Sequence, residues 1–144
     1  MIETVRDLIA FYSAETVLDY GCGKGGLRQA LRLENTKATI LEYDPAITGK
    51  DKTPDPADVV ICRDVLEHIE PECLEDVLLD LRRVTKKCLY VLIATRLSKD
   101  ILSDGTNAHR IIQQGEWWKE KISKHFKIIY YKQNETRECM MELV

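Results

Sequence analysis

The chain has 144 residues, 44% hydrophobic and 31% charged, with a formal net charge of −3. That balance excludes a disordered chain and gives no support to a general nucleic-acid binder. No apolar stretch nears the roughly 20 residues that span a bilayer, and MIETVRDLIAFYS lacks the basic-then-apolar pattern of a signal peptide. Five cysteines, odd in number and without CxxC spacing, argue for reduced thiols in a cytoplasmic protein.

No repeat or Gly/Ser linker interrupts the pattern, so residues 1–144 are expected to form a single domain. Residues 4–13 read as a short helix, with Val5, Leu8, Ile9 and Tyr12 at helical spacing. Residues 16–20 form a strand that ends on glycines, and a helix opens behind them over 27–33. A second strand, 38–43, is stopped by Asp44-Pro45. Residues 58–62 are a near-continuous apolar run, as suits a strand buried on both faces. Glu70-Pro71-Glu72 opens a helix whose apolar stripe is Leu74, Val77, Leu78, Leu81 and Val84, with Lys86-Lys87 at its end. CLYVLIA, 88–94, is the next buried strand, and 116–125 is helical. Residues 126–131 and 139–144 close the chain as two strands joined by a short polar link, so they pair antiparallel.

Strands alternating with helices predict an α/β fold, a doubly wound, Rossmann-like and mostly parallel sheet that ends in a strand hairpin. Only thirteen residues separate Asp44 from Asp58, and Pro54 and Pro56 discourage a helix among them. A parallel crossover needs a dozen or more residues for the connection alone. The segment is therefore expected to be a loop, and the sheet to have six strands.

VLDYGCGKGGL, 17–27, carries Gly21, Gly23 and Gly26 between a strand and a helix, the context in which a GxGxxG turn lets a ligand approach the backbone. Asp44, at the end of the next strand, stands where an acid holds ribose hydroxyls in adenosine-binding folds. Asp19 discriminates among such ligands. A carboxylate beside the turn repels a pyrophosphate and suits a cationic sulfonium ligand with an ammonium group. Together, VLDYGCGKGGL, LEYDPAI and ADVVICRDVLEHI resemble the class I S-adenosylmethionine-dependent methyltransferases over nearly the whole chain. That family's sheet has seven strands, so this chain departs by lacking room for the third, on the side from which the family draws adenine contacts. The resemblance implies S-adenosylmethionine as cofactor. It sets Asp19, Gly21 and Gly23 near the methionine moiety and Asp44 on the ribose, with Pro45, Arg63 and Asp64 lining the pocket.

Methyl transfer from a sulfonium is an in-line displacement that needs positioning and, for some acceptors, a base. RDVLEH, 63–68, and DGTNAHRII, 104–112, follow successive strands at the carboxyl edge, which makes Glu67, His68 and His109 the catalytic candidates. His109 suits a general base at neutral pH. The bland alternative is that Glu67-His68 fixes its loop by hydrogen bonding, with His68 buried and satisfied. D-x-x-E-H, a later histidine and a tryptophan-bearing helix are also similar to metal-dependent small-RNA 2′-O-methyltransferases, a resemblance that would make Asp64, Glu67, His68 and His109 ligands of a divalent cation. The preferred reading places no metal there. Trp117-Trp118 offers stacking for an aromatic substrate or one core and one covering tryptophan, and Tyr12 is a candidate lid.

The segment from Arg96 to Lys132 carries a charge of +4 against −7 for the remainder, which a solvated face or a rim for an anionic acceptor would explain. The expected function is methyl transfer to a small-molecule or single-residue acceptor at oxygen. The alternatives are metal-assisted 2′-O-methylation of a nucleotide or RNA end, a non-catalytic S-adenosylmethionine-binding module, and nicotinamide-dependent reduction, which Asp19 disfavours. Expected partners are a small acceptor, anionic if the basic segment is its rim, and at most a second copy of the chain, with no membrane; nucleic acid enters only through the RNA-end alternative.

Overall fold

The computed structural model describes residues 2–33, 36–134 and 137–144, so the tip of the closing polar link lies outside the described residues. Six strands form one sheet in the order β2-β1-β3-β4-β6-β5. They are β1 (Thr16–Tyr20), β2 (Thr39–Tyr43), β3 (Ala57–Arg63), β4 (Thr85–Ala94), β5 (Ile128–Asn134) and β6 (Glu138–Leu143). β1 to β4 run parallel, and β6 is antiparallel to both β4 and β5. Among the described residues, 45–56 hold turns and no helix or strand, which leaves β2 at the sheet's edge.

Strand alternation divides the core in two. Leu18, Val60, Cys62, Leu89 and Val91 face α3 (Leu74–Val84) and α4 (Gly115–Ile122), where Leu78, Leu81, Trp118 and Ile122 pack against them. Val17, Val59, Ile61, Cys88 and Tyr90 face α1 (Ile2–Phe11) and α2 (Gly26–Leu33), which bring Val5, Leu8, Leu27 and Leu31. The chain order reverses between β1 and β3, and the crevice outside the carboxyl ends of strands at such a switch point is where open α/β sheets bind ligands.

Three local expectations need correction. α3 begins at Leu74, because Pro71–Cys73 makes a 3-10 turn first. Lys86 and Lys87 belong to β4, not to the helix end: both are exposed while Thr85 and Cys88 are buried. Tyr12 is no lid. It donates to Glu142 at 2.8 Å, and its carbonyl accepts from Lys87, a residue near the start of β4, so it sits at the far edge of the sheet from the glycine turn. No helix among the described residues is long and apolar enough to cross a membrane.

Candidate active site

The turn after β1 is held by the end of β2, since the amides of Gly21 and Cys22 both donate to the Tyr43 carbonyl, at 2.8 and 3.0 Å. Gly21 has φ +78°, and a Cβ there would run into the side chain of Val65. Gly25, not Gly26, is the third glycine with positive φ (+80°), and its Cβ would strike the Glu42 carboxylate. Gly26 instead begins α2. The spacing match and the conformational need thus fall on neighbouring residues.

A cavity of about 230 Å³ opens above this turn, lined by Asp19, Gly21, Cys22, Leu27, Arg63 and Asp64 among others. Asp19 is only 7% exposed. It stands beside Glu42 in the strand register, and burial, followed by the Glu42 charge, raises its carboxyl to about 6. Arg63 and Asp64 pair at 2.7 Å on the rim, with Asp64 at φ +53°. Gly23 and Asp44 meet beside the cavity, not in its lining. The Gly23 amide donates to one Asp44 carboxylate oxygen at 2.8 Å, and the Ala46 amide to the other at 2.9 Å. Each oxygen keeps one lone pair for a further donor. Pro45 is exposed and outside the lining.

Sequence reasoning missed a neighbouring ion network. Glu42 accepts from Arg28 at 2.8 Å and from Lys50 at 3.1 Å, and the Lys50 ammonium also donates to the Gly23 carbonyl at 3.1 Å. Lys50 comes from the loop that replaces a crossover, so it reaches the glycine turn from where a third strand would lead. Only the alternation of β2, which sets Glu42 on the same face as Asp19, could have hinted at it.

Beyond β3, the turn Leu66–His68 brings Glu67 and His68 against the segment that carries His109. The ligating atoms of these three side chains lie within 4.8 Å of one another. Asp64 is outside the group, turned to Arg63. Glu67 is fully buried, and burial pushes its carboxyl up although the Ala94 amide donates to Oε1 at 2.9 Å. Its Oε2 is buried with no hydrogen-bond partner. The Glu67 carbonyl accepts from the amides of Arg110 and Ile111, at 2.7 and 3.0 Å, and so clamps the later loop to the turn. His68 Nδ1 lies 2.9 Å from the Ala108 carbonyl, and His109 Nδ1 lies 2.6 Å from the Arg96 carbonyl. A carbonyl only accepts, so both Nδ1 atoms carry a proton, and in the neutral imidazole it is Nε2 that keeps the lone pair. Glu67 does fix its loop, as the bland alternative holds, but His68 is exposed instead of buried.

Of the two tryptophans, Trp118 is wholly buried and Trp117 half-buried, their rings edge-on at 5.0 Å.

Residues 1–141 match the family described as "Methyltransferase domain". The chain belongs to that family, as a class I S-adenosylmethionine-dependent methyltransferase domain. A comparison with curated proteins finds no match. Among solved structures, it resembles the methyltransferase domain of bacterial CtHen1-CN, at 17% identity and TM-score 0.71, over 99% of this chain and 96% of that one. It also resembles the PH0226 protein of Pyrococcus horikoshii OT3, at 16% identity and TM-score 0.61, over 99% and 88% of the two chains. A third similar fold is the 1,6-didemethyltoxoflavin-N1-methyltransferase of Burkholderia thailandensis, at 14% identity and TM-score 0.68, over 96% and 74%.

Proposed function

We propose that the protein transfers the methyl group of S-adenosylmethionine to a hydroxyl oxygen of a small acceptor, with a divalent cation held by Glu67, His68 and His109. The observation that carries this reading is the donor set. Glu67 Oε2 is an orphaned buried oxygen beside two imidazoles whose Nδ1 protons are spent on backbone carbonyls. A ring N–H donated to a backbone carbonyl in this way is typical of metal-ligating histidine. Mixed imidazole and carboxylate donors suit Mn²⁺ or Zn²⁺. When bound, such a cation supplies Lewis acidity that lowers the pKa of a ligated hydroxyl. The reading reverses the sequence-based preference for a metal-free site and makes His109 a ligand instead of a general base.

The remaining residues position the cofactor. Asp19, buried and disfavoured as an anion, gains from the ammonium and sulfonium charges of S-adenosylmethionine. The free lone pairs of Asp44 accept from ribose hydroxyls while Gly23 and Ala46 hold the carboxylate still. Gly21 and Gly23 present bare backbone, Arg63 and Asp64 form the rim at the methionine end, and Pro45 flanks the ribose. A small acceptor fits a single domain over residues 1–144. It also agrees with the Burkholderia structure, which holds 1,6-didemethyltoxoflavin beside S-adenosylhomocysteine. A hydroxyl on a nucleotide or RNA end is the second reading, supported by the D-x-x-E-H resemblance.

The test is methyl transfer from labelled S-adenosylmethionine to a panel of hydroxylated acceptors, with EDTA and with Mn²⁺ restored. EDTA should abolish turnover and Mn²⁺ recover it. Turnover indifferent to EDTA would return His109 to the role of base.

A further inference from the structure

A second cavity is lined by none of the residues placed at the glycine turn or in the group of Glu67, His68 and His109. It measures about 570 Å³ and opens between the start of α3 and α4, lined by Leu74, Arg110, Ile111, Gln113, Trp117 and Lys121 among others. We propose that it is an acceptor subsite for a planar aromatic group that bears an anionic charge.

Its walls divide into two chemistries. Leu74 and Ile111 are buried apolar residues, and the half-buried Trp117 adds a ring against which a flat group can lie. Two cations stand over this floor. Lys121 Nζ is 5.3 Å from the Trp117 ring centroid and has no carboxylate partner among the described residues. Arg110 is oriented by Glu70, which accepts from its Nε at 3.0 Å and leaves its terminal N–H groups for another acceptor. The one acid in the lining, Glu75, is exposed and lies 2.9 Å from His125 Nε2. A neutral ring would leave Lys121 uncompensated, and a bare anion would leave the apolar floor wet. A ligand with both features satisfies both walls.

Position gives the cavity its role. Arg110 and Ile111 directly follow His109, and their amides hold the Glu67 carbonyl. The wall of the cavity is therefore continuous with the segment that carries the proposed hydroxyl site. The subsite role rests on that proposed acceptor site, whereas occupancy of the cavity does not.

The chain has two tryptophans, and both indole N–H signals can be followed by ¹⁵N-edited NMR, with Trp118 as the internal control and Trp117→Phe for assignment. Titrations use uridine 5′-monophosphate, indole-3-carboxylate, uridine and inorganic phosphate, all in EDTA. The expected result is a saturable shift of Trp117 and of the Arg110 and Ile111 amides with an anionic ring. Uridine and phosphate alone should bind at least about tenfold more weakly. Lys121→Gln should weaken the anionic ligand about fivefold or more and leave uridine unchanged. A response to the nucleotide alone marks a phosphate source, and a response to the carboxylate alone marks a carboxylic acid; either supports the site. No saturable shift with either anion, equal affinity for uridine and its monophosphate, or indifference to Lys121→Gln would overturn it. Turnover that ignores EDTA would sink the cation at Glu67, His68 and His109 while leaving the Trp117 shift intact.

Discussion

Asp58 and Asp19 sit on neighbouring parallel strands at opposite edges of the sheet, and their surroundings contrast. At the amino edge, Asp58 accepts from the amides of Glu15 and Thr16 at 2.8 and 3.2 Å and has Lys87 at 3.5 Å. Burial alone would raise its carboxyl, but those amides and Lys87 hold it below its ordinary value. At the carboxyl edge, Asp19 is raised to about 6 by burial and by Glu42, and Glu67 is raised by burial with one oxygen unpartnered. One edge is saturated and knits strands together. The other holds charge in poor solvation, which a bound cation relieves. Paired charge thus sits at one end of these strands and poorly solvated charge at the other, where the proposed ligands would bind.

Four substitutions test that division. The largest effect is expected from Glu67→Gln, whose amide oxygen can still accept from Ala94. Turnover should fall about 10³-fold and Mn²⁺ affinity about 10- to 100-fold, read by labelled methyl transfer and metal titration, with the urea midpoint little changed. Asp58→Ala should do the reverse. Losing two amide bonds, one exposed and one half-buried, costs about 2 kcal/mol, seen in urea unfolding, and S-adenosylhomocysteine affinity by calorimetry should not move.

Asp19→Asn should weaken S-adenosylhomocysteine about 30-fold, or about 2 kcal/mol, and yet stabilise the empty protein. The sign follows from linkage. The folded carboxyl titrates near 6 and the unfolded one at 3.8, so the folded state keeps its proton longer and stability falls as pH rises through that window. The wild-type deficit relative to the asparagine variant should reach at most about 3 kcal/mol above pH 6 and vanish below pH 3.8. A parallel pair of stability–pH curves would refute it. The smallest effect is Gly25→Ala, which forces a side chain into a φ of +80° and against Glu42. It should cost about 1–2 kcal/mol, read as a lower Tm.

Much of the sheet was legible because its signals are local. The apolar run of β3, the break at Asp44-Pro45 and the polar link before β6 each depend on a few adjacent residues. The short interval from Asp44 to Asp58 revealed the missing crossover by chain length alone. The site was less legible where it depends on register. Glu42 counts only because β2 aligns it with Asp19, and Lys50 only because its loop folds back onto Gly23. Glu67-His68 could be read as chemistry or as a clamp; the Glu67 carbonyl does clamp the later loop, and the unpartnered Oε2 beside it is a feature that no sequence pattern reports. Lys86-Lys87 misled because two lysines after an apolar helix resemble a charged helix end, whereas here they are the solvent-facing start of a strand.

The placement of β6 between β4 and β5 also governs the order in which the sheet can be completed. β5 is made earlier, yet its sheet neighbour is β6. Until residues 138–143 arrive, β4 presents an unpaired edge and β5 has nothing to join. Nascent chain held back at that point carries two open strands, the state most exposed to wrong pairing. A chain cut after residue 137 should therefore lose more than its length suggests, because the cut removes an interior strand of the sheet.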